Sequence, residues 1–320
     1  MTGVQTCALP ILSFRQHRFP KILRDTLSPA SWPSSPRLEW NPPGHGDIYT
    51  ALAVSGMLDT LLATGITHAF VSNCDNLGAL VDTGILGYIA RHELAFLMEV
   101  ARRTERDKKG GHPAKRHDGT LVLRESAQCP EQDTAAFGDI QRHRFFNTNN
   151  IWLDLRALKE LLSSRDNVLE LPLIVNRKTL DPRDPSSPSV YQLETAMGSA
   201  LSVFEKAGVV SVPRSRFLPV KKCADLLDLW SDRYVLEEEH RVRPNRARRR
   251  ETIDLNLDSR YYSRIDDLTA RFPEGAPSLV ECDSLSVHGD VAFGKDVRIV
   301  GTAEIQNRAD TRTHVPDGAV

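Results

Sequence analysis

At 320 residues the chain can bury a sizeable core and form one large or two ordinary domains. Its 41 basic and 42 acidic residues leave a formal net charge of -1, which excludes a global field toward nucleic acid or anionic lipid and makes any phosphate recognition local. The cysteines Cys7, Cys74, Cys129, Cys223 and Cys282 form no C-x-x-C pair, which argues against a structural zinc site or a disulfide framework and for a reducing, cytoplasmic compartment. No apolar run approaches the roughly 20 residues that span a bilayer.

Residues 1–11 lack the basic start and long apolar centre of a signal peptide and read as a foreign tail, with a disordered native terminus as the alternative. After a Pro- and Ser-rich loop over 28–43 comes Gly44-His45-Gly46-Asp47, and then a helix is expected over 48–63, capped by Asp47. The apolar run 67–72 reads as a strand, so Asn73-Cys74-Asp75-Asn76 falls in the loop after it. In open α/β sheets ligands gather beyond such strand ends. A helix over 77–90, a buried strand over 94–100 and a hairpin strand over 120–123 follow. Phe145-Phe146 then leads into Asn147-Thr148-Asn149-Asn150. Helices over 156–163, 194–206 and 223–230 and strands over 171–175 and 209–212 complete an α/β pattern. Strands separated by helices imply a largely parallel sheet with an inserted hairpin.

The composition changes over 237–250, which ends in an arginine-rich run. Without interleaved aromatics to stack on bases, it reads as a solvated linker or exposed loop rather than a nucleic-acid site. Farther on, Leu285, Val291, Val297 and Ala303 recur every sixth residue, as do Val287, Phe293, Ile299 and Ile305. A six-residue apolar period is the pattern of a parallel β-helix, against the alternative of an antiparallel meander.

Among the candidate site residues, Gly44 has no Cβ, so a base or sugar could lie against its backbone, and His45 can donate to a phosphate or sugar oxygen. Asp75 is a hard oxygen ligand of the kind Mg²⁺ uses with substrate phosphates, or else it closes an Asx-turn. Asn147 and Asn149 offer amides matched to sugar hydroxyls, or else form a turn. Lys221 ends the stiff run Pro213-Arg214-Ser215-Arg216-Phe217-Leu218-Pro219-Val220-Lys221, whose prolines can aim an ammonium at phosphate. Lys108-Lys109-Gly110-Gly111 offers either a phosphate cradle or a surface turn.

Gln16-His17-Arg18-Phe19-Pro20-Lys21-Ile22, Pro42 to Asp47, Asn73 to Ala79, Asn147 to Asn150, Gln192-Leu193-Glu194-Thr195-Ala196 and Pro213 to Lys221 together resemble the UTP-glucose-1-phosphate uridylyltransferase family, also called UDP-glucose pyrophosphorylases. The resemblance runs from Phe14 to Val320. It implies an α/β fold with a Rossmann-like nucleotidyltransferase core, incomplete here, over 12–235. A basic linker and connecting helix would follow over 236–280, and a C-terminal left-handed parallel β-helix over 281–320.

The implied reaction joins UTP and glucose 1-phosphate into UDP-glucose and pyrophosphate with Mg²⁺ as cofactor. The implied roles are uridine nucleotide binding by Gln16 and Gly44, and glucose 1-phosphate binding by His45, Asn73, Cys74, Asp75 and Asn149. Mg²⁺ would be held by Asp75 and UTP approached by Lys221, with Asp75 and Lys221 as the catalytic pair. Cys74 stands where the family carries an aliphatic residue, a swap expected to be tolerated if the thiol is buried. The family's glycine-rich Leu-x-Gly-Gly-Leu-Gly-type loop has no counterpart in this sequence, so weak or absent turnover and an aggregation-prone open sheet edge are expected. Homo-oligomers through the β-helix are also implied, with no nucleic-acid or membrane partner. The alternatives are a UDP-sugar or UDP-N-acetylhexosamine pyrophosphorylase of the same clan, and a non-catalytic sugar-nucleotide binding or assembly fragment.

Overall fold

A computed structural model describes residues 11–237 and 241–320. The expected tail therefore lies, apart from Ile11, outside the described residues, as do positions 238–240 of the basic run. The described residues form two compact units. One takes the chain up to Ser72 together with Val81–Val212, and the other takes Asn73–Leu80 together with Pro213–Val320.

The first unit contains, in chain order, α1 (Ile48–Val54), α2 (Met57–Ala63), β1 (His68–Val71), α3 (Thr83–His92), β2 (Phe96–Arg102), β3 (His112–Lys115) and β4 (Leu121–Arg124). It continues with β5 (Phe145–Asp154), α4 (Leu155–Ser163), β6 (Leu173–Thr179), β7 (Ser189–Thr195) and β8 (Ala207–Ser211). Its main sheet has the order β8-β2-β5-β1. β8 and β2 pair parallel, whereas β5 pairs antiparallel with both β2 and β1. The reversal of β5 departs from a wholly parallel reading; the chain returns along the sheet after the excursion through the β3–β4 hairpin. Phe96, Met98, Ile151, Leu153, Leu155 and Leu158 supply the centre of the core between sheet and helices.

Three expected helices differ in the structure. The one over 48–63 is two, because Gly56 sits at φ +74 and breaks the hydrogen-bond ladder. Asp47 does not cap it, since its carboxylate accepts instead from the His17 backbone N–H at 2.8 Å and ring Nδ1 at 2.9 Å. The helix expected over 77–90 begins only at Thr83, where Asp82 caps it by accepting from the N–H groups of Gly84 and Ile85. The helix expected over 194–206 is absent. β7 runs through Thr195 against β6, and a tight 3-10 turn, Met197–Ser202, follows with Met197 to Leu201 buried.

The β3–β4 hairpin carries an unusual buried cluster. His112 is 0% exposed and stacks on His143 at 4.1 Å, while Arg103 and Arg124 face its two ring nitrogens at 3.5 and 3.3 Å. Burial, helped by the positive charge of His143, Arg103 and Arg124, pushes His112 down from 6.5 to about 3. A histidine so depressed stabilises the fold above its unfolded value of 6.5 and loses that stability as pH falls toward 3. At pH 5 the loss is about 2 kcal/mol. His112→Asn, which keeps a polar side chain but cannot titrate, should flatten the fall of Tm between pH 7.5 and 5, and an unchanged slope would refute the assignment. The same cluster decides Lys108 to Gly111: the Lys108 and Gly110 carbonyls accept from Arg103, so the segment is a turn closed over a guanidinium rather than a phosphate cradle.

In the second unit α5 (Cys223–Trp230) follows the Pro213 to Lys221 run. The described residues of the basic run are structured: β9 (Tyr234–Leu236) pairs with β10 (Val242–Pro244), and Arg249 and Arg250 both pair with Asp283. Arg233, 0% exposed, is held by Asp228 at 2.7 Å and donates to the carbonyls of Arg250 and Glu251, which ties this segment down. Thereafter come β11 (Asp254–Leu257), α6 (Ser259–Tyr262), α7 (Ile265–Thr269), β12 (Cys282–His288), β13 (Val291–Phe293), β14 (Gly301–Gln306) and β15 (Thr313–Val315). Strands β11, β12 and β14 lie side by side and parallel, and so do β13 and β15. Leu255, Leu285 and Ala303 align across the first set, as do Leu257, Val287 and Ile305. The pairing is parallel, so the antiparallel meander is excluded.

Candidate active site

In the first unit the Gly44-His45-Gly46 loop lies against the end of β7. Gly44 has φ +82, and a Cβ there would overlap the Thr195 carbonyl and stand 2.8 Å from the Thr195 nitrogen. The loop is fixed from both sides: Thr195 N–H donates to the Pro43 carbonyl at 2.8 Å, and the Gln16 side-chain amide donates to the Gly44 carbonyl at 2.6 Å. Met197 N–H donates to His45 Nδ1 at 2.9 Å, so the neutral ring carries its proton on Nε2 and offers a donor there. Tyr49 steadies the same turn through a 2.7 Å bond from its hydroxyl to the Met197 carbonyl, and burial raises the Tyr49 pKa far above its ordinary value.

Asn147 and Asn149 stand on β5, not in a turn. The register with β2 jumps between Met98 and Val100, so the residues around Thr148 to Asn150 bulge from the ladder, and Asn149 takes φ +60. Asparagine tolerates that left-handed backbone better than most residues. The Asn147 amide donates to Asn149 Oδ1 at 2.8 Å and its oxygen accepts from Asn149 N–H at 2.9 Å. Beneath the bulge, the buried Glu99 carboxylate accepts from Asn150 Nδ2 and Trp152 Nε1, each at 2.9 Å, and its carbonyl accepts from the Thr148 hydroxyl. The bulge also meets the 3-10 turn, since a Cβ on Gly198 would stand 2.8 Å from Asn147 Nδ2.

Sequence reasoning missed Glu125. Its carboxylate lies where a Cβ on Gly111 would reach it at 2.6 Å, Gly111 in turn accepts from Asn147 N–H at 2.8 Å, and burial pushes the Glu125 carboxyl above the usual range. No local motif marks it; only the hairpin fold brings it against Gly111.

In the second unit the Asn73–Leu80 segment is stitched to the Pro213 to Lys221 run. Val220 N–H donates to the Asp75 carbonyl at 2.9 Å, Leu77 N–H to the Leu218 carbonyl at 3.0 Å, and Asn76 bridges antiparallel to Pro219. Gly78 is pressed against the backbone of Ser215 and Arg216, where a side chain would collide. The result brings Lys221 Nζ to 3.9 Å from Asp75 Oδ2, with the ammonium 63% and the carboxylate 30% exposed. Asn73 is half-buried. Cys74 is exposed, which corrects the expectation that its thiol is buried.

Among the described residues no three histidine, cysteine or carboxylate side chains gather as a metal cage. Mg²⁺ normally takes one or two carboxylates and completes its shell with water and substrate phosphates, so a single accessible carboxylate beside an ammonium fits that mode of binding. No helix among the described residues is long and apolar enough to cross a membrane.

The family model for UTP-glucose-1-phosphate uridylyltransferase matches residues 2–300. The Saccharomyces cerevisiae and Hordeum vulgare proteins of that name are 41% and 40% identical to this chain, over 97% and 98% of it. The chain spans 61% and 64% of their own lengths, less than two thirds in each case. A mutant UDP-glucose pyrophosphorylase from Leishmania major, solved in complex with UDP-glucose, superposes with a TM-score of 0.85 at 47% identity, covering 95% of this chain and 66% of that one. The counterpart from Trypanosoma brucei gives 0.83 at 46% identity, with 95% and 65% covered. Mixed α/β architecture, paired motifs and matched relatives agree, and the chain belongs to the UTP-glucose-1-phosphate uridylyltransferase family.

Proposed function

We propose that this chain acts in uridylyl transfer, in which UTP and glucose 1-phosphate yield UDP-glucose and pyrophosphate. The observation that carries the reading is the approach of Asp75 and Lys221 to 3.9 Å from distant stretches of chain. A phosphate oxygen of glucose 1-phosphate forms the new bond to the α-phosphorus of UTP, the bond to the β-phosphate bridge breaks, and pyrophosphate leaves with its electron pair. Such chemistry needs little beyond alignment and charge stabilisation on phosphoryl oxygens. Lys221 supplies a cation for the triphosphate. Asp75 would hold Mg²⁺, which when bound supplies charge neutralisation between phosphoryl oxygens.

In the first unit, Gln16 and the bare Gly44 backbone are assigned the uridine, and the Nε2–H of His45 the sugar phosphate. Asn149, also in the first unit, is assigned the glucosyl phosphate. Glu125, a carboxyl whose pKa burial raises, suits a sugar hydroxyl. The parallel stacking of β11, β12 and β14 on a six-residue apolar period supports a left-handed β-helix over 281–320, after a nucleotidyltransferase part over 12–235 and a connecting part over 236–280.

Calorimetry of the purified chain with UDP-glucose, with and without Mg²⁺, tests this, alongside UTP release from UDP-glucose and pyrophosphate. UDP-glucose should bind in preference to UDP-N-acetylglucosamine, and Asp75→Asn should abolish the Mg²⁺ dependence. Neither binding nor UTP release in any metal would refute the reading.

A further inference from the structure

Outside the groups already assigned to ligand, the second unit contains two polar side chains that hydrogen-bond the backbone on either side of Lys221. Asn76 is 5% exposed. Its Oδ1 accepts from Leu218 N–H at 2.8 Å and from Gly78 N–H at 3.2 Å, and its Nδ2 donates to the Arg216 carbonyl at 3.1 Å. One carboxamide therefore closes the short antiparallel pairing where Pro219, lacking an N–H, cannot extend it. On the far side of Lys221, Asp225 Oδ2 accepts from the N–H of Lys221 at 2.9 Å and of Lys222 at 2.8 Å. The lysine backbone is thus held on both sides.

We propose that Asn76 and Asp225 are positioning residues that set the Lys221 ammonium against the Asp75 carboxylate, a role that rests on the uridylyl-transfer reading for its effect on rate but not for its geometry. A four-carbon stem alone leaves the ammonium many rotamers, so the position of the Lys221 backbone decides where its charge can reach. A misplacement of about 1 Å at a reacting group costs on the order of 10²-fold in rate.

Two measurements on the full chain separate the geometry from the activity. A water-soluble carbodiimide condenses a carboxylate and an amine in direct contact into an amide with loss of water. Peptide mass spectrometry should find the Asp75–Lys221 link in the unsubstituted protein. Its yield should drop several-fold in Asn76→Ala and in Asp225→Ala, while the link between Lys206 and Glu93, 2.7 Å apart in the first unit, stays constant as the internal control. An unchanged Asp75–Lys221 yield in both variants overturns the proposal. If Asn76→Ala loses its unfolding transition, the half-buried Asp225→Ala decides alone.

In turnover, Asn76→Ala should lower kcat by about 10²-fold with little change in KM for glucose 1-phosphate. In a Lys221→Ala background the same change should cost less than about twofold, because the residue acts through the lysine. An equal cost in both backgrounds overturns the positioning role in favour of a purely structural one. Should Lys221→Ala itself leave turnover intact, the catalytic assignment of Lys221 fails, and the crosslink still decides the geometry.

Discussion

Lys221→Ala should lower whatever uridylyl transfer the chain supports by about 10² to 10³ while leaving the protein folded. The two effects separate by magnitude. A preorganised charge aimed at developing phosphoryl charge is worth about 3 to 4 kcal/mol of barrier. The same ammonium, 63% exposed and 3.9 Å from Asp75, adds at most about 1 kcal/mol to stability because solvent screens it. Tm should therefore move by no more than a few degrees. Steady-state assay of UTP release, with calorimetric unfolding as the control, checks both numbers. A variant with wild-type kcat/KM removes Lys221 from the chemistry. A variant that unfolds assigns it to structure instead.

Gly44→Ala should abolish UDP-glucose binding and destabilise the first unit by about 2 to 4 kcal/mol. Two costs add at this position. The backbone at φ +82 and ψ 170 lies in a region that only glycine occupies comfortably, and the new methyl would meet the Thr195 backbone and stand 3.0 Å from Glu194 Cβ. Neither obstacle is the flexible end of a side chain, so the loop must leave β7, taking His45 from Met197 N–H with it. Tm should fall by about 5 to 10 °C. Gly56→Ala is the matched control, because Gly56 also has positive φ, at +74, but nothing within 4 Å. It should cost about 1 to 2 kcal/mol and leave ligand affinity unchanged. Equal losses of affinity in the two variants would mean that the Gly44 loop plays no part in binding.

The sequence carried much of the sheet. Residues 94–100 and 67–72 are short apolar runs bounded by polar turns, and they become the buried β2 and the half-buried edge strand β1. Asp154 and Asp82 cap α4 and α3, a local signal that the expected helix starts at 156 and 77 left unused. Local signals misled where tertiary contacts outweighed them. Glu194 to Lys206 has helical composition, yet its first residues complete a ladder with β6 and the following turn has no solvent side. Asn147 to Asn150 resembles a turn by residue type, and the strand tolerates it only as a bulge propped by Glu99.

The site was legible to a different depth in each part. Asp75 and Lys221 stood out as chemistry, but their meeting depends on Asn76 reaching the Leu218 and Arg216 backbone, which no periodicity encodes. Glu125 was invisible, because an isolated glutamate after a strand acquires its raised pKa only from the hairpin that buries it.

Asn76 and Arg216, joined in the second unit, are 140 positions apart in the chain. At the usual pace of translation, roughly 7 to 28 seconds separate their emergence from the ribosome. During that interval the first unit's sheet strands are being completed while the Asn73–Leu80 segment waits without the stretch that holds it. A nascent or prematurely terminated polypeptide thus displays the Asp75 carboxylate without the Lys221 ammonium that stands beside it in the finished chain.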